Sequence, residues 1–160
     1  MRFFNTAGPV NCEDHYCLSP LTRFDLDGVL ALIDQKKYFV LHAPRQTGKT
    51  TCLLALMDHL NREGKYRCLY VNVEIGQAAR ENVRDGMQAI LGAIASRARD
   101  AWDDEFLESY TRQVLETHGA FGALGETLTA WARHSPKPLV LLIDEIDTLV
   151  GDTLIAVLRQ

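Results

Sequence analysis

The stretch YFVLHAPRQTGKTTCLLALMDHL, residues 38–60, decides the fold. It begins within an apolar run, KKYFVLH, whose aromatic and β-branched residues predict a strand over residues 37–42. The apolar residues beyond the polar loop recur at the spacing of one helix face: Leu53, Leu56, Met57 and Leu60. Gly64 is a suitable end for that helix. A strand, a glycine-containing loop and a helix in this order are the setting of a phosphate-binding loop.

The loop APRQTGKT, residues 43–50, carries the residue types that hold a phosphate chain. A tight turn there exposes backbone N–H groups, and the following helix adds its positive N-terminal end. Gly48 lets the backbone approach a phosphate, Lys49 can reach the β- and γ-phosphates, and Thr50 offers a hydroxyl to magnesium. The candidate nucleotide-binding residues are Ala43, Pro44, Arg45, Gln46, Thr47, Gly48, Lys49, Thr50 and Thr51.

Ala43 stands where the usual pattern has its first glycine. That glycine serves the turn that leaves the strand, and alanine has poor access to positive φ. Pro44 biases the residue before it towards extended conformations. We therefore expect Ala43 to use an ordinary backbone region and the loop to be intact.

The rest of the chain alternates between strand and helix patterns. Asp25 could cap a short helix, YRCLYVNVE at 66–74 predicts a second strand, and LVLLI at 139–143 predicts a strand buried on both faces. A long helical region is predicted between the second and third strands, with apolar stripes that run from Val83 to Ile94, from Trp102 to Tyr110 and from Phe121 to Trp131. The alternation predicts an α/β fold with a parallel sheet, in one domain over residues 1–160.

An acidic pair follows the last predicted strand in LVLLIDEID. Asp144 falls at the carboxyl end of the strand, where ligands of open α/β sheets bind, and its carboxylate could hold magnesium opposite Thr50. Glu145 could orient or deprotonate a water for attack on the γ-phosphate. Asp147 begins the next segment, where we expect it to cap a helix.

APRQTGKTT and LVLLIDEID resemble the Walker A and Walker B motifs of P-loop ATPases of the AAA type. The continuation DEIDTL is similar to origin-recognition and archaeal-type AAA-like ATPases, and PRQTGKT to bacterial AAA-like domains. The resemblance implies a three-layer P-loop NTPase fold with ATP and magnesium as ligands. It gives phosphate binding to Lys49, magnesium binding to Thr50 and Asp144, and catalysis to Glu145. It also implies that residues 5–10 lie near the base.

The chain departs from the AAA pattern after Walker B. Such domains continue with a sensor strand, a further strand and a helical lid, whereas this sequence ends one helix later, at Gln160. We therefore expect the N-terminal part of a domain, with no arginine finger that can be placed. The runs at 37–42 and 139–143 would then lack a shared neighbour, and open strand edges recruit other chains. We expect self-association or a longer polypeptide.

Three functions remain open from the sequence. The first is an ATP-binding, magnesium-dependent NTPase that hydrolyses ATP to ADP and phosphate, at least within a complete domain. The second is a nucleotide-binding switch with negligible hydrolysis. The third is a DNA-associated ATPase, although a net charge of −4 and the lack of a basic stripe oppose direct binding to nucleic acid. No Asn-Lys-x-Asp string for guanine is present, which favours ATP.

Composition predicts a cytoplasmic protein. No apolar run is long enough to span a bilayer, and MRFFNTAGPVNCEDHYC lacks the apolar core of a secretion signal. Four cysteines are too few and too scattered for a disulfide framework. Cys12, His15 and Cys17 lie close together but lack a fourth zinc ligand. We therefore expect reduced thiols and no membrane contact.

Overall fold

The computed structural model describes residues 2–6, 11–44 and 46–159. The chain divides into two compact units, residues 1–64 and residues 65–160. The first unit carries the phosphate loop and the second carries the acidic pair. Within the described ranges, no helix is long and apolar enough to cross a bilayer.

The first unit contains a 3₁₀ turn, Pro20–Arg23, and the helices α1, Leu26–Asp34, and α2, Lys49–Glu63. Asp25 caps α1 as predicted, because its Oδ1 accepts a hydrogen bond of 3.0 Å from the Gly28 amide. The buried residues of α2 are Leu53, Leu56 and Leu60. Gly64 ends α2 in the left-handed region, at φ 75°, as the sequence predicts.

The strand predicted over residues 37–42 does not form. Residues 37–44 have no regular secondary structure, and the Tyr38 and Val40 side chains are 99% and 87% exposed. A strand is completed by hydrogen bonds to a neighbouring strand. The described residues of the first unit contain no strand longer than an isolated bridge between Phe3 and His15. The apolar run therefore has the composition of a strand but no partner strand among the described residues.

The second unit is built on a parallel pair of strands, β1, Arg67–Asn72, and β2, Leu139–Asp144. The register pairs Arg67 with Leu139 and Asn72 with Asp144. Both strands fall within one or two residues of the predicted bounds. In the described chain the sheet has these two strands, so the protein is α/β and mostly helical. This architecture is compatible with a P-loop NTPase.

Helices cover the sheet of the second unit. They are α3, Val83–Trp102, α4, Phe106–Thr117, α5, Gly119–His134, and α6, Gly151–Leu158, with 3₁₀ turns at Glu74–Ala79 and Ile146–Thr148. The first predicted stripe lies on α3, where Met87, Ile90, Leu91 and Ile94 are fully buried. Trp131 of α5 packs into the same core. Those apolar side chains supply the main driving force for folding of this unit.

A buried carboxylate ties the start of β1 to the helices. Asp104 is 8% exposed, and it accepts hydrogen bonds from the Trp131 indole, at 3.1 Å, and from the Phe106 amide, at 3.2 Å. Arg67 lies 3.6 Å from the same carboxylate, and its guanidinium stacks over the Trp102 ring at 4.2 Å. We call Asp104, Arg67, Trp102 and Trp131 the Asp104 cluster. It fixes the first residue of β1 against the helices.

Two of the four cysteines depart from the expectation of reduced thiols. Cys12 and Cys17 form a disulfide, because the turn between them brings their Cα atoms to 5.2 Å, within bonding range. Cys52 and Cys68 are not in a disulfide. Among the residues that the structure describes, no group of three or more His, Cys, Asp or Glu side chains is placed to hold a metal ion.

Candidate functional site

The backbone of the phosphate loop turns on two residues with positive φ, Gln46 at 59° and Gly48 at 83°. Ala43 is not one of the positive-φ residues, so the prediction that it uses an ordinary backbone region is confirmed. Gly48 precedes the first residue of α2, and its carbonyl accepts the first helical hydrogen bond, from the Cys52 amide at 3.0 Å. The loop therefore leads directly into a helix N-terminus. Arg45 lies outside the described residues.

Lys49 folds back across the loop. Its Nζ donates to the carbonyl oxygens of Ala43, at 2.9 Å, and Pro44, at 3.2 Å. The Thr47 hydroxyl donates to the same Pro44 carbonyl, at 2.7 Å, which closes the turn. Phosphate oxygens would be stronger partners for the ammonium group than neutral carbonyls, because they carry negative charge. The lysine is thus held at the loop by contacts that an anion can replace.

Arg23 lies against the loop, a position that the sequence analysis missed. A Cβ added to Gly48 would lie 2.8 Å from Arg23 Nη1, the flexible end of that side chain, so the positive φ of Gly48 rather than lack of space is what favours glycine there. Burial raises the pKa of the Cys52 thiol, and the positive charge of Arg23 partly offsets that effect. The first turn of α2 therefore faces a second cation besides Lys49.

A cavity of about 230 Å³ opens beside the loop. Its lining residues are Tyr16, Cys17, Leu18, Pro20, Arg23, Gly48 and Thr51. The Tyr16 ring also contacts Phe4, with ring centroids 4.9 Å apart. Asn5 of the predicted base-binding segment, residues 5–10, does not line this cavity, and residues 7–10 lie outside the described chain. The sequence could not indicate residues 16–23, because no motif marks them.

Asp144 ends β2, as predicted, and is 6% exposed. Both of its carboxylate oxygens accept hydrogen bonds within the second unit. Oδ1 accepts from the Glu145 amide and Oδ2 from the Tyr70 hydroxyl, each at 3.0 Å. Tyr70 belongs to β1, so its contact with Asp144 depends on the strand register and could not be predicted from either motif.

Glu145 is half-buried and adopts the left-handed conformation, with φ 58° and ψ 30°. That conformation costs a non-glycine residue about 1–2 kcal/mol and is frequent at functional sites. The Glu145 carbonyl accepts hydrogen bonds from the Thr148 amide, at 3.1 Å, and hydroxyl, at 2.6 Å, which hold the turn. Asp147 is exposed inside this turn and does not cap it, so the prediction that it caps a helix is wrong. Glu145 is the one residue between β2 and the turn, and it occupies the cap position.

The oxygen donors in the two motifs suit magnesium. Thr50 carries a hydroxyl in the first turn of α2, and Asp144 carries a buried carboxylate. Magnesium is usually bound by one or two carboxylates together with substrate phosphates rather than by a closed cage of protein ligands.

The chain matches a known protein family over most of its length. The family model described as an AAA ATPase domain matches residues 26–160, a range that includes the phosphate loop, both strands and the acidic pair. No curated protein and no solved structure matches the chain significantly.

Proposed function

Because the chain belongs to the AAA ATPase domain family, we propose that it binds Mg-ATP through residues 43–51 and hydrolyses it to ADP and phosphate. The observation that carries the proposal is the position of Lys49, whose Nζ lies 2.9 Å from a loop carbonyl at the N-terminus of α2. The three-layer P-loop fold, one nucleotide-binding domain over residues 1–160 and a cytoplasmic location belong to the same proposal.

The phosphates would bind at the loop. The amides at the start of α2 point towards the N-terminal end of the helix, where the helix dipole favours negative charge. Lys49 would exchange its two carbonyl contacts for the β- and γ-phosphates. Arg23, which lies against Gly48, would add a second positive charge. Two cations and a helix N-terminus favour a highly charged polyphosphate over a neutral ligand.

The base would enter the cavity beside Gly48 and Thr51. Tyr16 offers an aromatic face, and Leu18 and Pro20 offer apolar contacts. The cavity is smaller than the roughly 300–1,000 Å³ that is typical of whole ligand sites. It therefore suits one part of a nucleotide, while the phosphates remain at the loop.

We assign hydrolysis to the acidic pair. Asp144 and Thr50 would hold magnesium, which stabilises the charge that develops on the phosphates when it is bound. Glu145 would accept the proton of the attacking water. Its left-handed backbone turns the chain immediately after the end of β2.

Isothermal titration calorimetry with Lys49→Ala tests the proposal. The variant should bind Mg-ATP about 1.5–3 kcal/mol more weakly, the range for hydrogen bonds to charged groups. Lys37→Ala is the matched control, because Lys37 is an exposed lysine of the same unit outside the loop. Equal affinities in wild type and Lys49→Ala would refute binding at the loop. Binding without phosphate release would favour the nucleotide-binding switch over the hydrolase.

A further inference from the structure

We infer that Tyr70 is a positioning residue for the Asp144 carboxylate. This inference rests on the proposed function, because it concerns how the chain prepares its magnesium ligand. The parallel register places Tyr70 opposite Leu142, two residues before Asp144. Residues two apart on a strand share a face of the sheet, so the tyrosine ring can reach diagonally to the aspartate. The phenol hydroxyl donates to Oδ2 at 3.0 Å.

The hydrogen bonds of Asp144 restrain the plane of its carboxylate. The Glu145 amide donates to Oδ1 from the adjacent residue, so by itself it orients the carboxylate only relative to the local backbone. The Tyr70 hydroxyl binds Oδ2 from a different strand and therefore fixes the other oxygen relative to the sheet. A carboxylate held at both oxygens has little freedom to rotate.

Burial makes this contact important. Asp144 is 6% exposed, and a buried carboxylate is costly unless hydrogen bonds compensate for lost water. Tyr70 provides that compensation without a second charge. A lysine or arginine in its place would compete with a cation for the carboxylate, whereas the phenol carries no charge. The geometry thus favours a metal ligand that is oriented before the nucleotide arrives.

The test uses Tyr70→Phe, which keeps the ring and removes the hydroxyl. Titration calorimetry measures ATP affinity with magnesium and again with EDTA, and the ratio of the two gives the magnesium increment. We expect Tyr70→Phe to reduce this increment about three- to tenfold, within the net range of one ordinary hydrogen bond, and to leave the affinity in EDTA unchanged. Tyr66→Phe is the control, because Tyr66 lies just before the opposite end of β1.

A second measurement does not depend on nucleotide. A double-mutant cycle of Tyr70→Phe and Asp144→Asn, read by urea unfolding, should show coupling between the two side chains. Absence of coupling would overturn the inference whatever the protein binds. Coupling with an unchanged magnesium increment would also overturn it, by reducing the contact to a structural one. If the wild type does not bind ATP, the proposed function and the inference both fail. Coupling measured in that case would show only that the contact between Tyr70 and Asp144 exists.

Discussion

Replacing Asp104 with alanine should remove a large part of the stability of the second unit. The substitution takes the acceptor from the Trp131 indole and the Phe106 amide, and the partner from Arg67, whose side chain is only 17% exposed. Breaking a buried ion pair from one side costs about 3–5 kcal/mol, because the remaining charge stays buried. A domain of ordinary stability unfolds at about 5–15 kcal/mol. We therefore expect a loss of about 3–5 kcal/mol, with the variant still folded at low temperature.

Urea unfolding followed by tryptophan fluorescence measures this loss, and Trp102 and Trp131 lie in the Asp104 cluster itself. The midpoint should fall while the slope with urea stays near the wild-type value, since the fold and its buried surface are retained. Asp100→Ala is the matched control. Asp100 is 60% exposed and lies 3.8 Å from Arg99, a surface pair of the kind that contributes about 0–1 kcal/mol. If Asp104→Ala costs no more than Asp100→Ala, the Asp104 cluster does not anchor β1.

Four further outcomes are expected. Glu145→Gln should bind ATP but release no phosphate in a coupled phosphate assay, because an amide cannot accept the proton of water, and unchanged turnover would exclude Glu145 as the base. Glu145→Gly should be more stable to urea than Glu145→Ala by about 1 kcal/mol, the reverse of the usual order, because φ is 58°, and the usual order would show that the left-handed turn is not required. Alkylation of Cys52 at pH 8, followed by mass spectrometry, should be slower than alkylation of cysteine in solution, because burial raises the pKa of the Cys52 thiol. The rate should be slower still in Arg23→Ala, which loses the positive charge that favours the thiolate. A faster rate in Arg23→Ala would show that the guanidinium does not lie near Cys52. Light scattering should show self-association that Val40→Lys reduces, because Val40 is exposed on a segment that has no partner strand in the described chain. A molecular mass that Val40→Lys leaves unchanged would exclude that segment as the contact.

Local patterns predicted the elements that local chemistry determines. The 3.6-residue apolar spacing and Gly64 correctly predicted α2 and its end, and the apolar runs near 66–74 and 139–143 became β1 and β2. The run at 37–42 has the same composition but forms no strand in the described chain. Composition reports how well a segment would suit a sheet, whereas a strand also requires a neighbour. That requirement is tertiary and cannot be seen in the run itself.

The candidate site likewise contains residues that the sequence predicts and residues that it does not. Lys49 and Asp144 stand where the spacing of their motifs predicts, at the start of α2 and the end of β2. Tyr70 and Arg23 could not be found, because one depends on the register of two strands and the other on a turn that packs against Gly48. No residue-level signal precedes either contact. Their roles in binding and catalysis remain predictions for the experiments above.

The pairing of β1 with β2 has a consequence for the folding kinetics. Every residue pair in the two strands, from Arg67–Leu139 to Asn72–Asp144, joins positions on opposite sides of α3, α4 and α5. Contacts so distant in sequence form slowly, because the chain entropy of closing the intervening segment is lost before the contacts compensate for it. The helices can form locally and much earlier. Asp144 would therefore meet Tyr70 only in a late step of folding, and the chain would acquire its helical core before the Asp144 carboxylate is oriented.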